Sequence, residues 1–257
     1  MQENVLVTNL PADEQERLQP FLERTAMDFR ETLIEQGEPI RYVWFPHDAI
    51  TSTIVDTPEG TTIEVGLMGM EGMVGLSLLL NVEASNTTVI VQVPGVGARM
   101  RADHFIEHVV KPGGALYERL LRYTNAFMAM VAQTAACNSL HSVDERLSRW
   151  LLMTHDRVQR DQFPLTHEFL AYMLGVRRPS VSVAANTLLQ NGSIRYSRGL
   201  MTILNRQGLE DAVCPCYEIV KKIMTRVRPD FQKVNAEEDG GAPVQLPHRQ
   251  QPPKTLE

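Results

Sequence analysis

The sequence predicts an α+β protein in which a β-rich N-terminal half is followed by one long helix and a C-terminal helix-turn-helix with a β wing. Three observations support this fold class. Short β-rich runs separated by turn residues fill residues 28–100, and an uninterrupted helical periodicity then extends to about residue 138. Two short helical patterns joined by a glycine precede a hairpin pattern at residues 165–206. With 257 residues, the chain is long enough for one large or two modest domains.

The β-rich half begins after a short acidic amphipathic helix, which we predict at residues 10–24. The β-forming runs cover residues 42–46, 50–55, 61–67, 88–93 and 98–101. Turn signals such as Gly37, Gly60 and Pro94 separate these runs. Several short strands at this spacing are typical of an all-β sandwich or barrel.

The long helical segment starts after Pro112-Gly113-Gly114. Its residues alternate at intervals of four and three, which is the spacing of a coiled-coil seam. We assign dimerisation to the seam formed by Leu116, Leu120, Tyr123, Phe127, Met130 and Thr134. A second apolar face lies beside it, so we expect one face to contact the β-rich half and the other a second copy of the chain. Polar residues such as Gln133 make the segment too polar to span a membrane.

Charge is distributed unevenly along the chain. The formal net charge of −6, taken alone, argues against a nucleic-acid partner. Residues 1–141 contain 9 Lys+Arg and 18 Asp+Glu, residues 142–228 contain 13 and 8, and residues 229–257 contain 3 and 5, which gives −9, +5 and −2. Residues 169–209 contain five arginines and no acidic residue. A basic segment of this kind indicates a nucleic-acid surface, although a solvated basic face remains an alternative.

The basic segment has the pattern of a winged helix-turn-helix. Ser142 and Glu145 have the spacing of a capping box, so a new helix should begin there. Two helices flank Gly175, a hairpin follows, and a last helix is predicted from residue 208 to about 226. The second helix of such a motif enters the major groove of DNA. The side chains expected to contact DNA are Arg177, Arg178, Ser180 and Ser182 on this helix and Arg195 and Arg198 in the wing.

The run LTHEFLAYMLGVRRPSVSVAANTLLQNGSIRYSRG at residues 165–199 resembles the winged helix-turn-helix of the Crp/Fnr family of bacterial transcription regulators. The order of β-rich half, seam helix and capped helix is similar to the architecture of that family. The resemblance implies a homodimer that reads a pseudo-palindromic operator, with half-sites roughly 34 Å apart. It divides the chain into a cyclic-nucleotide-binding-like jelly-roll sensor domain at 1–111, a dimerisation helix at 112–138, a winged helix-turn-helix domain at 142–226 and a disordered tail at 227–257. Family members tend to have Glu where this chain has Pro179 and Arg where it has Val183, so we expect a different operator.

The segment that would bind cyclic AMP departs from the pattern of family members that bind it. Their Gly-Glu-Leu run corresponds to Gly72-Met73-Val74, and no Arg or Lys occurs between Arg41 and Arg99. A buried phosphate without a cation is strongly disfavoured, so we do not expect cyclic AMP in its usual mode. Residues that could still form an effector pocket are Glu71, Gly72, Met73, Gly75, Thr87 and Thr88.

Cysteine and histidine patterns give little support for other chemistry. No cysteine precedes Cys137, so the iron–sulfur cluster of oxygen-sensing family members is not expected. Cys137 is interpreted as an apolar filler, and Cys214 and Cys216 either as fillers or as a redox pair. His104 and His108 have the i, i+4 spacing of a metal pair but no third ligand. We therefore expect no metal, no cofactor and no catalytic residue.

Together these patterns predict a cytoplasmic, non-enzymatic transcriptional regulator. The expected partners are double-stranded DNA, a second copy of the chain, RNA polymerase and an unidentified small-molecule effector, and no membrane. The first residues lack the basic and apolar segments of a secretory signal, and three cysteines favour a reducing compartment. Two alternatives remain open. One is a jelly-roll ligand-binding module whose winged helix mediates protein contacts, and the other is a metal-dependent jelly-roll enzyme.

Overall fold

The computed structural model describes residues 3–8, 10–57 and 62–227. Seven strands form the N-terminal half: β1 (Glu23–Met27), β2 (Thr32–Ile34), β3 (Tyr42–Pro46), β4 (Ile50–Asp56), β5 (Thr62–Met68), β6 (Thr88–Val93) and β7 (Gly95–Arg101). They pair antiparallel as two sheets, in the orders β1-β7-β3 and β2-β6-β4-β5. Inward side chains such as Val43, Phe45, Val91 and Met100 are buried. The predicted α+β fold with a β-rich N-terminal half is thus confirmed.

Short helices accompany the strands. They are α1 (Ala12–Leu18), α2 (Leu76–Leu79) and α3 (Ala102–Phe105), which continues as a π-helical turn at Ile106–Val110. The prediction of one helix over residues 10–24 is wrong at its C-terminal end, because Glu23 and Arg24 belong to β1. Pro20 has no amide hydrogen to continue the helix, so the chain makes one 3₁₀ turn and then extends.

Helix α4 (Ala115–Leu140) follows the predicted glycine turn. Its first amides are capped from α1, since the Glu14 carboxylate accepts hydrogen bonds from Ala115 N at 2.8 Å and Leu116 N at 3.0 Å. A carboxylate at this position also interacts favourably with the helix dipole. The 26-residue helix is therefore anchored to the β-rich half at its start.

The residues predicted for the dimer seam lie on the face of α4 that packs into the chain's own core, which disagrees with their predicted role. Leu116, Leu120, Tyr123, Met130 and Thr134 are buried within the chain itself, and Phe127 is partly buried. A Cβ added to Gly66 of β5 would come within 2.6 Å of the Phe127 ring, which shows how closely this face packs on the sheet. Side chains that fill the chain's own core are not available to a second copy. Apolar residues occur on both faces of α4, so periodicity alone could not separate the two.

The C-terminal half contains five helices and three strands among the residues that the structure describes. They are α5 (Val143–Val158), β8 (Gln162–Pro164), α6 (His167–Leu174), α7 (Arg178–Gln190), β9 (Ile194–Ser197), β10 (Leu200–Ile203), α8 (Arg206–Ala212) and α9 (Cys216–Thr225). The capping box at the start of α5 is present as predicted, with Ser142 and Glu145 bonded reciprocally. The single last helix predicted from residue 208 is wrong, because Pro215 separates α8 from α9.

Two expectations concern the C-terminal tail and membrane-spanning helices. The predicted disordered tail covers residues 227–257, of which only Val227 lies within the described residues. No described helix combines the length and apolarity needed to cross a membrane.

Candidate functional site

Helices α6 and α7 meet at a tight glycine turn. Thr166 Oγ1 caps α6 by accepting a hydrogen bond from Phe169 N at 3.1 Å. Gly175 ends α6 with φ +59°, in the left-handed region that favours glycine. The guanidinium of Arg146, on α5, donates to the Leu174 carbonyl at this turn. The turn is therefore held both by its own backbone and by the preceding helix.

One face of α7 is buried against α5 and α6. The buried side chains of the helix pair include Leu170, Leu174, Val181, Ala184, Ala185 and Leu188. Small Ala184 and Ala185 let the helices approach closely, and the larger residues fill the space around them. Burial of this face fixes the orientation of α7, so its first turn and its opposite face point outward.

Five of the six side chains predicted to contact DNA are exposed. These are Arg177, Arg178, Ser180, Arg195 and Arg198. Ser182 is partly buried, and its Oγ donates to the Arg178 carbonyl at 3.2 Å and lies 3.3 Å from His167 Nδ1. The pKa of His167 is lowered by burial and then by the positive charge of Arg178. The first turn of α7 thus carries a local positive field.

The outer face of α7 includes residues that the sequence analysis did not select. Val183, Asn186, Thr187 and Gln190 lie on this face, and Val183 retains 67% of its accessible surface. They follow Pro179 at intervals of three and four residues, so the helical period itself was the signal that could have identified them. Asn and Gln can bond bidentately to adenine, and an apolar side chain can contact the thymine methyl group.

Strands β8, β10 and β9 form the wing beside this helix. A two-residue loop joins β9 to β10, and both of its residues, Arg198 and Gly199, have positive φ, of 49° and 78°. This is the backbone of a type I′ hairpin, which matches the twist of the strands. It presents Arg198 at the tip of the wing, while Arg195 is exposed on β9.

The helix-turn-helix also contacts the β-rich half. A Cβ added to Gly175 would lie 3.2 Å from Ile63 of β5, so the turn packs against that strand. Next to this contact is a groove of about 690 Å³ between Thr62 on one side and Arg177, Arg178 and Ser180 on the other. The first turn of α7 therefore faces a groove that it shares with the sheet.

The residues proposed for an effector pocket are engaged inside the chain. A Cβ added to Gly72 would lie 2.1 Å from the Tyr123 hydroxyl of α4, so only glycine fits there. Met73 is fully buried. Glu71 is buried too, and its Oε1 lies 2.7 Å from Nε of Arg157 on α5. Side chains of α4 and α5 thus contact the segment where the resemblance placed the ligand.

The remaining members of that set, Gly75, Thr87 and Thr88, have local roles. Gly75 has φ +100° at the start of α2, and Thr88 Oγ1 accepts a hydrogen bond from Gln36 N at 3.2 Å. Thr87 N donates to Ser85 Oγ at 3.2 Å.

A buried polar network joins α5 to the sheet. Trp150 Nε1 donates to Glu64 Oε1 at 3.1 Å, and Ser52 Oγ lies 2.6 Å from both Glu64 Oε2 and Gln92 Oε1. Gln92 Nε2 in turn lies 3.3 Å from Thr154 Oγ1. Burial raises the pKa of Glu64 from its ordinary value of 4.5 to about 7, against hydrogen bonds from Ser52 and Trp150.

The three cysteines, Cys137, Cys214 and Cys216, are free and buried. Burial raises the pKa of the Cys214 thiol to about 12 and also raises that of Cys137. A redox-active pair needs an accessible thiol of low pKa, so the redox interpretation of Cys214 and Cys216 disagrees with the structure. His104 and His108 both pack on the Phe21 ring.

Comparisons with known proteins agree with this geometry. Residues 145–212 match the family model of the Crp-like helix-turn-helix domain. The structure is similar to FixK2 from Bradyrhizobium japonicum, with a TM-score of 0.63 and 14% identity over 75% of this chain and 98% of that one. It is also similar to TTHB099, a CRP family transcriptional regulator from Thermus thermophilus, with a TM-score of 0.61 and 19% identity over 73% and 95% of the two chains.

A third similar structure is the c-di-GMP responsive global regulator CLP of Xanthomonas campestris, with a TM-score of 0.55 and 15% identity over 75% and 99% of the two chains. The comparison with curated proteins gave no match. At these identities the solved structures establish the fold, and the domain match adds the helix-turn-helix. Residues 145–212 therefore form a Crp-like helix-turn-helix domain, and the chain shares its fold with solved regulators of the Crp/Fnr type.

Proposed function

We propose that the chain is a sequence-specific DNA-binding regulator that acts as a homodimer on a pseudo-palindromic operator and is not an enzyme. The observation that carries the proposal is the orientation of α7. One face of this helix is buried on its neighbours, while its first turn presents Arg177, Arg178 and Ser180 to solvent. A helix held in this way matches the geometry needed to enter a major groove. Location in the cytoplasm and contact with RNA polymerase belong to the same proposal.

Base recognition would come from the outer face of α7. Arg178 can bond bidentately to guanine O6 and N7, and Asn186 and Gln190 can do the same with adenine N6 and N7. Arg195 and Arg198 of the wing suit phosphate contacts, which position the protein without reading sequence. The exposed Val183 would favour a thymine methyl group at its position.

Replacement of Arg178 by alanine is expected to weaken binding to the selected operator by roughly 1–3 kcal/mol and to relax base preference at one position of each half-site. The operator is first obtained by selecting from a random DNA library with the full chain, and affinity is then measured by fluorescence anisotropy. Arg41→Ala is the matched control, because Arg41 is an exposed arginine of the β-rich half.

The same measurements separate DNA binding from the alternative in which the winged helix contacts proteins. Neutralisation of phosphates releases counterions, so the affinity for duplex DNA should fall steeply with salt concentration. A selection that enriches no sequence, or equal losses in Arg178→Ala and Arg41→Ala, would contradict the proposed role of α7.

The homodimer contact is proposed on the outward face of α4, in place of the buried seam. The residues of this helix that are exposed include Arg122, Asn125, Met128, Ala135 and Leu140, and Leu121 is exposed beside them. Several of these side chains are small or apolar, as a helix–helix contact requires. Leu121 and Met128 retain 41% and 57% of their accessible surface, so they are open to a second copy.

Met128→Glu is expected to convert the dimer into monomers, because two copies of the new carboxylate would be desolvated against each other at the centre of the contact. Sedimentation velocity on the purified chain measures this directly. Leu80→Glu is the matched control, since Leu80 is 56% exposed but lies outside α4. A dimer that survives Met128→Glu would rule out this face.

Regulation is proposed to use an effector other than cyclic AMP in its usual mode. Met73 stands at the position of the glutamate in cyclic-AMP-binding members, and Tyr123 lies against Gly72. The β-rich half contacts α5 directly through Glu64–Trp150 and Glu71–Arg157. A signal in the β-rich half would therefore shift the helix-turn-helix through α5, as well as through α4.

A further inference from the structure

All three cysteines of the chain meet in one buried cluster, although Cys137 and Cys214 are 77 residues apart. Cys137 lies near the end of α4, and Cys214 and Cys216 flank the proline that separates α8 from α9. The Sγ atoms of Cys137 and Cys214 are 3.6 Å apart, and all three Sγ atoms lie within 4.8 Å of one another. Among the residues that the structure describes, this is the one group of three ligand-type side chains so close together.

The spacing of the sulfurs fits a single metal ion. With a metal–sulfur bond of about 2.3 Å, two thiolates on one tetrahedral or trigonal ion are roughly 3.8–4.0 Å apart. In a [4Fe–4S] cluster each cysteine binds a different iron atom, so its cysteine sulfurs stand farther apart than these three. We propose that Cys137, Cys214 and Cys216 form a three-thiolate site for one soft divalent cation of the Zn(II) and Cd(II) class. The side-chain amide of Gln133 lies beside the cluster, with its Nε2 3.0 Å from Cys216 Sγ.

The charge around the cluster supports the same site. Arg146 and Arg149 are only 7% and 5% exposed, and neither forms an ion pair with a carboxylate among the described residues. The Nε atoms of both also lack a hydrogen-bond partner there. Arg149 interacts electrostatically with Cys137 and also with Glu64. Arg146 interacts electrostatically with both Cys137 and Cys214.

Burying a cation without a counter-charge is costly. The proposed metal complex would supply the missing negative charge. Three thiols that bind one divalent cation release three protons to solvent and leave a complex with a net charge of −1. The two guanidinium groups would then lie beside an anion. Soft thiolate ligands select Zn(II) and related ions over Mg(II) or Ca(II).

The ion would join α4 to the segment between α8 and α9. This segment leads into the helix that packs along α4, so an ion at the cluster would fix the end of the C-terminal half to the long helix. Because binding requires the folded arrangement, the bound ion should raise the temperature of unfolding. The inference does not depend on DNA binding.

The test is a titration of the full, phosphine-reduced chain with Cd(II), in the absence of DNA. We expect one Cd(II) per chain, an ultraviolet thiolate-to-metal charge-transfer band, release of three protons and protection of three thiols from an alkylating reagent. Cys137→Ala should weaken Cd(II) binding by more than the roughly 10- to 100-fold that loss of an outer-shell partner causes. Ala136→Ser, at the neighbouring exposed position of α4, is the control and should bind Cd(II) normally.

Two results would overturn the proposal. One is that the reduced wild-type chain binds no Cd(II), or that its three thiols stay reactive in the presence of Cd(II). A chain whose thiols only form a disulfide counts as the same result. The other is one-to-one binding that persists in a folded Cys137→Ala variant. If that variant does not fold, thiol protection in the wild-type chain decides alone.

Discussion

Replacement of Arg157 by methionine is expected to lower the free energy of unfolding by about 3–5 kcal/mol. The Arg157 Nε atom lies 2.7 Å from Glu71 Oε1, and the two side chains are only 8% and 9% exposed. A guanidinium nitrogen of Arg157 also donates to the Met153 carbonyl at 2.9 Å. Loss of the cation leaves the Glu71 carboxylate buried without a partner, and this desolvation dominates the effect. Urea denaturation followed by circular dichroism measures it.

A second variant separates the ion pair from packing. When Glu71→Met is added to Arg157→Met, no charge is left unpaired, so most of the lost stability should return. Arg160→Met is the matched control, because Arg160 is an exposed arginine two residues after the end of α5. This replacement should change the free energy of unfolding by less than about 0.5 kcal/mol. A double variant as unstable as Arg157→Met would show that packing, and not the buried charge, is responsible.

The sequence predicted those elements whose signals are local. Strand β3 matches the predicted run 42–46, and β6 matches 88–93, because alternation and flanking turn residues are read within a few positions. The capping box of Ser142 and Glu145 and the glycine turn at Gly175 are local for the same reason. The exposure of Arg177 and Arg178 followed from the orientation that this turn imposes.

Contacts between distant segments could not be predicted in this way. Helix α4 has apolar residues on two faces, and only the fold shows that Tyr123 and its neighbours face the sheet. No spacing in the sequence links Cys137 to Cys214, or Glu71 to Arg157. The close approach of Tyr123 to Gly72 likewise has no signal in the local sequence.

The contacts of α5 give a direct route between the two halves. Helix α5 carries Trp150, Thr154 and Arg157, which all have partners in the β-rich half. Helix α5 also holds the turn of the helix-turn-helix through Arg146. One helix therefore touches both the sheet and the turn that orients α7. A change in the Glu64 network would act on that helix directly.

Glu64 is the titratable group at the centre of this network. Ser52 has one hydroxyl hydrogen but lies 2.6 Å from two acceptor oxygens, those of Glu64 and Gln92. If that hydrogen is donated to Gln92, a protonated Glu64 supplies the hydrogen for the other contact. This agrees with a Glu64 pKa raised to about 7 by burial, even though the charges of Arg149 and Arg157 act to lower it.

The raised pKa makes stability depend on pH in a defined direction. Below about pH 4.5 the Glu64 carboxyl is protonated in both the folded and unfolded chains, so its contribution is fully present. Between pH 4.5 and about 7 the folded chain retains a proton that the unfolded chain has lost, so stability falls as pH rises. Above about pH 7 both forms are ionised, and the loss amounts to roughly 3 kcal/mol.

Glu64→Gln is expected to remove this loss. Glutamine is nearly isosteric, can accept from Trp150 Nε1 through its oxygen and can donate to Ser52 through its nitrogen. Relative to the wild-type chain, the variant should therefore gain stability steadily from pH 4.5 to 7 and be more stable by roughly 3 kcal/mol at pH 8. Urea denaturation across this range, with the exposed Glu83→Gln as control, gives the difference curve. Parallel curves for the wild-type chain and Glu64→Gln would mean that folding does not raise the pKa of Glu64, and that Gln92 and not Glu64 gives up its bond to Ser52.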